Sequence, residues 1–181
     1  SVSVINTETD TVSSTISIIS GIGSNAIPVG TTMYVGGSNA IYAIDTVTDT
    51  ITATISVGSH PYFSCRLGTK IYTSNRNGSS VSVIDSDTNT VSSTIPVSVE
   101  PTTCVVLGSK IYVTHGSNEN GVIEVINTNT DTVSDRIAVG LKPFYATPAG
   151  SKLFVSNNAS SSISVINTNS IYSERPDLIS F

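Results

Sequence analysis

Two histidines are the residues best suited to catalysis or metal binding in this sequence. His60 precedes a proline, and His115 ends a run of alternating apolar and polar residues. A neutral imidazole can take up a proton or bind a transition metal, but a metal site needs further ligands at short spacings. Neither histidine has a Cys, an Asp or a second His at such a spacing. The sequence therefore predicts no catalytic residue, no metal site and no cofactor.

Clusters rich in Asp, Asn and Thr are a second source of ligands, because calcium prefers carboxylate and carbonyl oxygens. They lie at residues 45–49, 85–89 and 127–131. None has the spaced carboxylates and the closing Glu of an EF-hand loop. Short polar side chains also hydrogen-bond their own backbone in tight turns. We therefore interpret the clusters as turns.

Each turn must join two strands, and residues 81–97 show the sequence pattern of such a strand–turn–strand unit. Alternating apolar and polar residues on both sides of the cluster are typical of half-buried strands, so the segment predicts a β-hairpin. The hairpin recurs along the chain, with the isoleucine before each turn at positions 5, 44, 84, 126 and 166. The steps of 39, 40, 42 and 40 residues indicate a structural repeat.

Each full repeat contains four strand-like runs, which we name A to D. In the third repeat they are predicted at residues 101–107, 110–114, 122–127 and 132–139. Four antiparallel strands at this period, without helical patterns, favour an all-β fold, a β-propeller of four-stranded antiparallel blades. A β-sandwich is the weaker alternative, since it would not place the recurring isoleucines in equivalent surroundings. A single domain is expected over residues 1–181, with repeats at about 1–18 (partial), 19–58, 59–98, 99–140 and 141–181.

The number of predicted strands does not decide how the propeller ring closes. The N-terminal hairpin supplies a C and a D strand without A and B, whereas residues 171–178 contain Pro176 and three charges and make a poor final D strand. We expect about four blades, with residues 11–18 closing the ring on the last blade. A larger ring completed by two chains, which exchange terminal strands, and an excerpt of a longer propeller are the alternatives.

The charge of the chain bears on its partners. The formal net charge is −5, and the eight basic residues are scattered, which argues against nucleic acid as a partner. Only 12% of the residues are charged. No apolar run reaches the ~18 residues that a membrane-spanning helix needs, so membrane insertion is not expected.

The two cysteines are predicted to point to opposite faces of their sheets. Cys65 lies four residues after Pro61, and Cys104 lies three residues after Pro101. Stacked sheets are roughly 10 Å apart, whereas a disulfide needs Cα atoms within about 7 Å. Two buried free thiols are therefore the expectation, and a disulfide stays open.

The repeats resemble the YVTN-type β-propeller repeats of microbial and archaeal surface-layer proteins and of YncE-like propellers. The naming tetrapeptide is approximated four times, at residues 34–37, 72–75, 112–115 and 154–157, and the hairpin at 81–90 matches more closely. The resemblance implies that A strands line the axis and D strands form the rim. It also implies that the D–A and B–C loops share one face. Rings of this family usually contain more blades than the four A and B strands found here.

The loops on this face differ most between repeats, and variable loops on a constant scaffold commonly form binding sites. The candidate binding residues are His60, Tyr62, Asn75, Arg76, Asn77, His115, Asn118, Lys142, Phe144, Asn157 and Asn158. Asn77 and Asn158 also begin possible N-glycosylation sequons.

We expect a non-catalytic extracellular or surface-layer module with a structural or interaction role. Its expected partner is a protein or a carbohydrate at a cell or particle surface. The alternative is a propeller enzyme or enzyme domain, quinoprotein-like or lyase-like, that uses the axial pocket.

Overall fold

The computed structural model describes residues 1–18, 25–117 and 120–168, which form 17 strands in five antiparallel sheets. In every sheet the strands that follow each other in sequence are neighbours. The all-β fold with four-stranded blades is confirmed. Among the described residues, no helix is long and apolar enough to span a bilayer.

The first sheet is an N-terminal hairpin of two strands, β1 (Val2–Asn6) and β2 (Thr11–Ile16). Three four-stranded sheets follow, which we call blades 1 to 3. Blade 1 consists of β3 (Ile27–Val29), β4 (Thr32–Gly36), β5 (Ala40–Asp45) and β6 (Thr50–Ser56). Blade 2 consists of β7 (Pro61–Leu67), β8 (Lys70–Asn75), β9 (Ser80–Asp85) and β10 (Thr90–Pro96).

Blade 3 consists of β11 (Pro101–Leu107), β12 (Lys110–His115), β13 (Val122–Asn127) and β14 (Thr132–Ala138). Blade 4 has three strands among the described residues, β15 (Pro143–Ala149), β16 (Lys152–Asn157) and β17 (Ser162–Asn167). The strands of each blade occupy the predicted positions A to D in order. In blade 3 every strand end lies within one residue of its prediction.

The hydrophobic core lies between the blades. Four apolar clusters each join two consecutive sheets. In the cluster between blades 2 and 3, for example, Val83 and Ile95 pack with Ile111 and Ile126. A sheet that is apolar on both faces can bury them only against its neighbours, so the repeats stabilise one another.

The recurring isoleucine near the end of strand C has equivalent surroundings in successive blades, as predicted. Ile44, Ile84 and Ile126 are buried, and each packs in the cluster shared with the preceding sheet, as does the half-buried Ile166. Ile5 of the N-terminal hairpin is 61% exposed, because no described sheet precedes it.

A tyrosine in strand B ties a blade to the one after it. The Tyr34 hydroxyl donates to Asn89 Oδ1 at 2.6 Å, and the Tyr72 hydroxyl donates to Asp131 Oδ1 at 2.9 Å. Both acceptors lie in the C–D turn of the following blade. Burial and the hydrogen bond to Asp131 raise the pKa of Tyr72, so its hydroxyl stays protonated and can donate.

The Asp- and Asn-rich turns between strands C and D use their side chains to hold the backbone. Asp45 Oδ1 accepts the N–H groups of Val47 and Thr48 at 2.8 and 2.9 Å. The bonds from Thr48 and Val47 hold the pKa of Asp45 below its ordinary value. Asp49 ends the turn with a φ of 55°, a left-handed conformation that Asp and Asn adopt more readily than most residues.

Hydrogen bonds between loops confirm the expected grouping of loops on two faces. Backbone N–H groups of the B–C loops donate to carbonyls of the D–A loops in the pairs Arg76–His60, Gly116–Glu100 and Asn158–Lys142. On the opposite face, the C–D turns donate to the A–B turns, as in the bond from Thr46 N to Thr31 O.

The N-terminal hairpin does not close the ring, and this part of our prediction is wrong. Strand β1 pairs with β2, and the hairpin packs through Val2, Val4 and Ile16 onto Val35 and Ile44 of blade 1. Strand β2, which we expected to close the last blade beside β17, pairs with β1 instead, and β17 pairs with β16 alone among the described strands. The sheets therefore form an open arc.

The two cysteines are free thiols that meet across the interface of blades 2 and 3, as their opposite parity predicted. Cys104 is buried and donates to the carbonyl of Tyr72 at 3.1 Å. Burial, together with the adjacent Cys104 thiol, raises the pKa of Cys65 well above its ordinary value. The Cys65 sulfur is therefore protonated and weakly nucleophilic at neutral pH.

Candidate functional site

Six side chains from the predicted loop face meet where the innermost strands β7, β11 and β15 lie against each other. We call them the axial cluster, and they are His60, Tyr62, Arg76, Asn77, Glu100 and Phe144. Five were predicted as binding residues, and Glu100 was not. They come from blades 2, 3 and 4. The first and the last of them, His60 and Phe144, are more than eighty residues apart in the sequence.

Arg76 is at the centre of the axial cluster. Its guanidinium carbon lies 5.1 Å from the ring centroid of Tyr62 and 5.9 Å from that of Phe144, within the range of cation–π attraction. The two rings meet edge to face at a centroid distance of 6.4 Å. Arg76 Nη2 also lies 3.9 Å from Glu100 Oε2. Arg76 therefore orients two half-buried aromatic rings and a carboxylate.

His60 adds a polar group whose hydrogen bonding is incomplete. Its ring lies 6.1 Å from the Tyr62 ring, and its Nδ1 lies 3.5 Å from Asn77 Nδ2. Among the described residues, the buried Nε2 of His60 has no hydrogen-bond partner. An unpaired buried polar atom costs about 1–3 kcal/mol, so a hydroxyl group that reached Nε2 would be stabilising.

The residue before the first proline of strand A has a left-handed backbone in three blades. The φ angles are 57° at His60, 49° at Glu100 and 51° at Lys142. Such a conformation costs on the order of 1–3 kcal/mol for a non-glycine residue. The same backbone thus presents an imidazole, a carboxylate and an ammonium group at equivalent positions, which is how a repeated scaffold acquires a specific surface.

The backbone of Phe144 is held in place by threonine hydroxyls of blade 3. Its carbonyl accepts hydrogen bonds from the hydroxyls of Thr102, Thr103 and Thr114 at 2.8, 3.0 and 2.9 Å. Gly116 leaves room for the ring, since a Cβ there would lie 3.3 Å from Phe144 Cδ2. The backbone that carries the Phe144 ring is therefore fixed before any ligand binds, which lowers the entropic cost of binding.

Three predicted binding residues are buried, and their placement on the surface needs correction. Asn75 and His115 are fully buried, and Asn157 is 2% exposed. Each is the last residue of a B strand, and its side chain turns inward. Asn75 Nδ2 donates to Ser80 Oγ and Ser82 Oγ at 3.0 and 2.9 Å. These side chains hold loops in place and have no surface for a ligand.

Of the other predicted residues, Lys142 and Asn158 are joined by a backbone hydrogen bond from Asn158 N to Lys142 O at 2.9 Å. Lys142 is half-buried, and the two sequon residues Asn77 and Asn158 are exposed. Asn118 lies outside the described residues.

Sequence reasoning missed Glu124, which is fully buried in strand C of blade 3. Its Oε1 accepts from Ser98 Oγ at 3.0 Å and from Arg136 Nε and Nη2 at 3.0 and 2.8 Å, and its Oε2 accepts from Ser98 N at 2.9 Å. His115 Nε2 lies 3.2 Å from Oε2. The sequence did contain a sign of this role, because Glu124 stands at a strand C position that holds serine in repeats 2 and 4 (Ser82 and Ser164).

This network controls the ionisation of Glu124. Burial alone would raise the pKa of this carboxyl, but His115, the Ser98 N–H and Arg136 outweigh burial and lower the pKa to about 2. Glu124 is therefore ionised at neutral pH, with its charge shared by a surface arginine whose side chain is 64% exposed. The arrangement is structural, because no atom of the carboxylate reaches the surface.

A cavity of about 460 Å³ lies away from the axial cluster, between β14 and β17. Its lining includes Lys110, Asp135 and Val165, and Lys110 Nζ lies 3.8 Å from Asp135 Oδ2. We place the candidate site at the axial cluster, because the convergent aromatic and polar groups are there and not in this cavity. In the described part of the chain, no three His, Cys, Asp or Glu side chains are grouped to hold a metal ion.

Comparison with solved structures identifies the class of fold. The chain is similar to hydrazine synthase from Kuenenia stuttgartiensis, with a TM-score of 0.72 and 22% identity over 78% of this chain and 44% of that one. It is similar to BamB from Moraxella catarrhalis, with a TM-score of 0.66 and 15% identity over 78% of this chain and 42% of that one. It is also similar to the WD40 β-propeller domain of Doa1, with a TM-score of 0.67 and 10% identity over 79% of this chain and 50% of that one.

These neighbours are β-propellers, so the propeller fold is confirmed. No family model matches the chain, and no curated protein matches it either. The chain spans half or less of the length of these three structures. At these identities the similarity shows the fold alone, and membership of the YVTN-type family stays a prediction.

Proposed function

We propose that this propeller is a non-catalytic interaction module that binds a carbohydrate at the axial cluster. The observation that supports this function is the convergence of Tyr62, Phe144 and Arg76 with His60 and Asn77 on one loop face. Small-molecule sites in proteins combine a preformed apolar and aromatic surface with a few polar groups that fix the orientation of the ligand.

The chemistry of the cluster suits a sugar. The apolar C–H face of a pyranose packs against aromatic rings, which Tyr62 and Phe144 provide. Its hydroxyl groups need both donors and acceptors. Arg76 and Asn77 can donate, Glu100 can accept, and His60 Nε2 lacks a partner. The second histidine, His115, is buried next to Glu124 and is not part of this surface.

An extracellular or surface-layer location is part of the same proposal. It is motivated by the YVTN-type resemblance and by the exposure of the two sequon residues. A glycan on Asn158 would leave the binding site accessible, because Asn158 lies outside the axial cluster. A glycan on Asn77 would cover the cluster and compete with a ligand.

A glycan array probed with the fluorescently labelled chain tests this function. We expect binding to a limited set of glycans, reduced at least tenfold by Tyr62→Ala and by Phe144→Ala, a loss of about 1.4 kcal/mol. Val47→Ala, on the opposite face and 77% exposed, is the matched control and should bind like the parent. Absence of glycan binding, or binding that both aromatic substitutions leave unchanged, would overturn the proposal, and a partner protein captured through the same residues would replace the sugar as ligand.

A further inference from the structure

One face of blade 4 exposes an apolar surface. Phe154 of strand B is 39% exposed, and Ile163 and Val165 of strand C are 68% and 53% exposed. All three point away from blade 3, because Leu153, Val155 and Ile166 form the opposite, buried face. We call Phe154, Ile163 and Val165 the forward face.

The same three positions are buried in every other blade. They hold Tyr34, Ile41 and Ala43 in blade 1, Tyr72, Val81 and Val83 in blade 2, and Tyr112, Ile123 and Val125 in blade 3. In each case the residues pack in the cluster shared with the following blade. The forward face of blade 4 is thus one half of an interface that this chain builds three times.

The other half of that interface is exposed at the opposite end of the arc. Ile5 and Val12 of the N-terminal hairpin are 61% and 59% exposed, and we call them the backward face. In blade 3 the corresponding residues, Ile126 and Val133, pack against blade 2. The inner side of the hairpin is already used, since Val4 packs onto blade 1.

We propose that the backward face of the hairpin docks onto the forward face of blade 4 in a second copy of this chain. The contact continues the interface between consecutive blades and needs no exchange of strands. Within one chain the two faces lie at the two ends of an open arc, so a second copy is the occupant that the structure supplies. Because the two faces differ, the contact is head-to-tail and produces a ring or a linear assembly.

The tyrosine contact between blades predicts the register of this docking. Tyr34 and Tyr72 donate to Asn89 and Asp131, and Asp10 of the hairpin has the equivalent turn position, with a φ of 53°. Phe154 replaces the tyrosine in blade 4 and has no hydroxyl. A tyrosine at position 154 would therefore place a donor beside Asp10 of the second copy.

The first test is the mass of the chain measured by light scattering at several concentrations. We expect a multiple of the 18.8 kDa chain mass at high concentration. The double variants Ile5→Asp/Val12→Asp and Ile163→Asp/Val165→Asp should associate at least tenfold more weakly, because each buries unpaired charge in the contact. Val47→Asp is the matched control and should assemble like the parent. A chain that is monomeric at every concentration overturns the proposal.

Mixing the two double variants tests the head-to-tail geometry. Each retains one intact face, so each should be monomeric alone, and together they should form a complex with one copy of each. Circular dichroism of the separate variants checks that they are folded. If the parent assembles but the mixture remains monomeric, the contact does not join these two faces.

The second test is a gain of affinity. Phe154→Tyr should strengthen self-association several-fold, and Asp10→Gly should abolish the gain without straining the left-handed turn position. An unchanged association of Phe154→Tyr, in a chain that does assemble, contradicts the proposed register.

Discussion

His115 Nε2 and Glu124 Oε2 lie 3.2 Å apart inside blade 3, where the neighbouring blades have an amide and a hydroxyl. The equivalent pairs are Asn75–Ser82 and Asn157–Ser164, each with an Nδ2···Oγ distance of 2.9 Å. The D–A loop changes with them, since Ser98 replaces the glycine of blades 2 and 4. A buried neutral contact in two blades has thus become a buried charged network in the blade between them.

Glu124→Ser alone should destabilise the protein by about 3 kcal/mol, because it removes the acceptor of the Ser98 donors and the carboxylate beside the buried His115. The triple variant Ser98→Gly/His115→Asn/Glu124→Ser recreates the set found in blades 2 and 4. We expect it to recover most of the lost free energy of unfolding, measured by urea denaturation. A triple variant as unstable as the sum of its single changes would show that the three residues do not act as a unit.

Acid should weaken the parent more than this triple variant. The pKa of Glu124 is about 2 in the folded state, below its ordinary value of 4.5, so ionised Glu124 stabilises the fold above the unfolded-state value. This stabilisation, on the order of 2–3 kcal/mol, is lost as the pH falls from about 4.5 towards 2. Urea denaturation at a series of pH values measures it, and equal pH profiles for parent and triple variant would contradict the assignment.

Tyr72→Phe should lower the free energy of unfolding by about 1–2 kcal/mol, because it removes the hydrogen bond to Asp131 that joins blades 2 and 3. Lys70 Nζ, 2.7 Å from Asp131 Oδ2, keeps the carboxylate partly paired and limits the loss. Tyr145→Phe, at a side chain that is 44% exposed, is the control and should change the stability by less than about 0.5 kcal/mol. Chemical denaturation compares the two variants.

Gly58→Ala should cost about 1–3 kcal/mol, because the new Cβ would lie 2.6 Å from the side-chain amide carbon and nitrogen of Asn75. The clash requires Asn75, so Gly58→Ala should cost less in a background that already carries Asn75→Ala. Thermal and urea unfolding of the two single variants and the double variant give the coupling. Additive effects would show that the amide moves aside without cost.

Both thiols should react slowly with an aromatic disulfide reagent in the folded protein. Burial raises the pKa of Cys65, and Cys104 is 1% exposed. Two thiols per chain should react rapidly once guanidinium chloride unfolds the protein. A Cys65→Ala variant identifies which thiol reacts, and fast reaction of either thiol at neutral pH in the native state would contradict the described packing.

Much of the fold was predictable because the repeat places each side chain by local rules. Alternation of apolar and polar residues gave the strand positions, and the turn chemistry of Asp45 and its equivalents gave the hairpins. The loops that meet at the axial cluster were also predictable, since His60, Tyr62, Arg76 and Phe144 lie in repeats that the fold places around one axis.

The sequence by itself determined the class of fold and the order of the strands, because these depend on spacing within one repeat, and the resemblance to YVTN-type repeats implied the grouping of the loops. Only the tertiary structure decided which polar side chains are buried and how the arc ends. Asn75 and His115 look like loop residues, but the D–A loop covers them. Strand β2 has the sequence of a closing D strand, but it pairs with β1, and the hairpin buries Val2, Val4 and Ile16 on blade 1. Burial and closure depend on contacts between distant repeats, which local pattern does not encode.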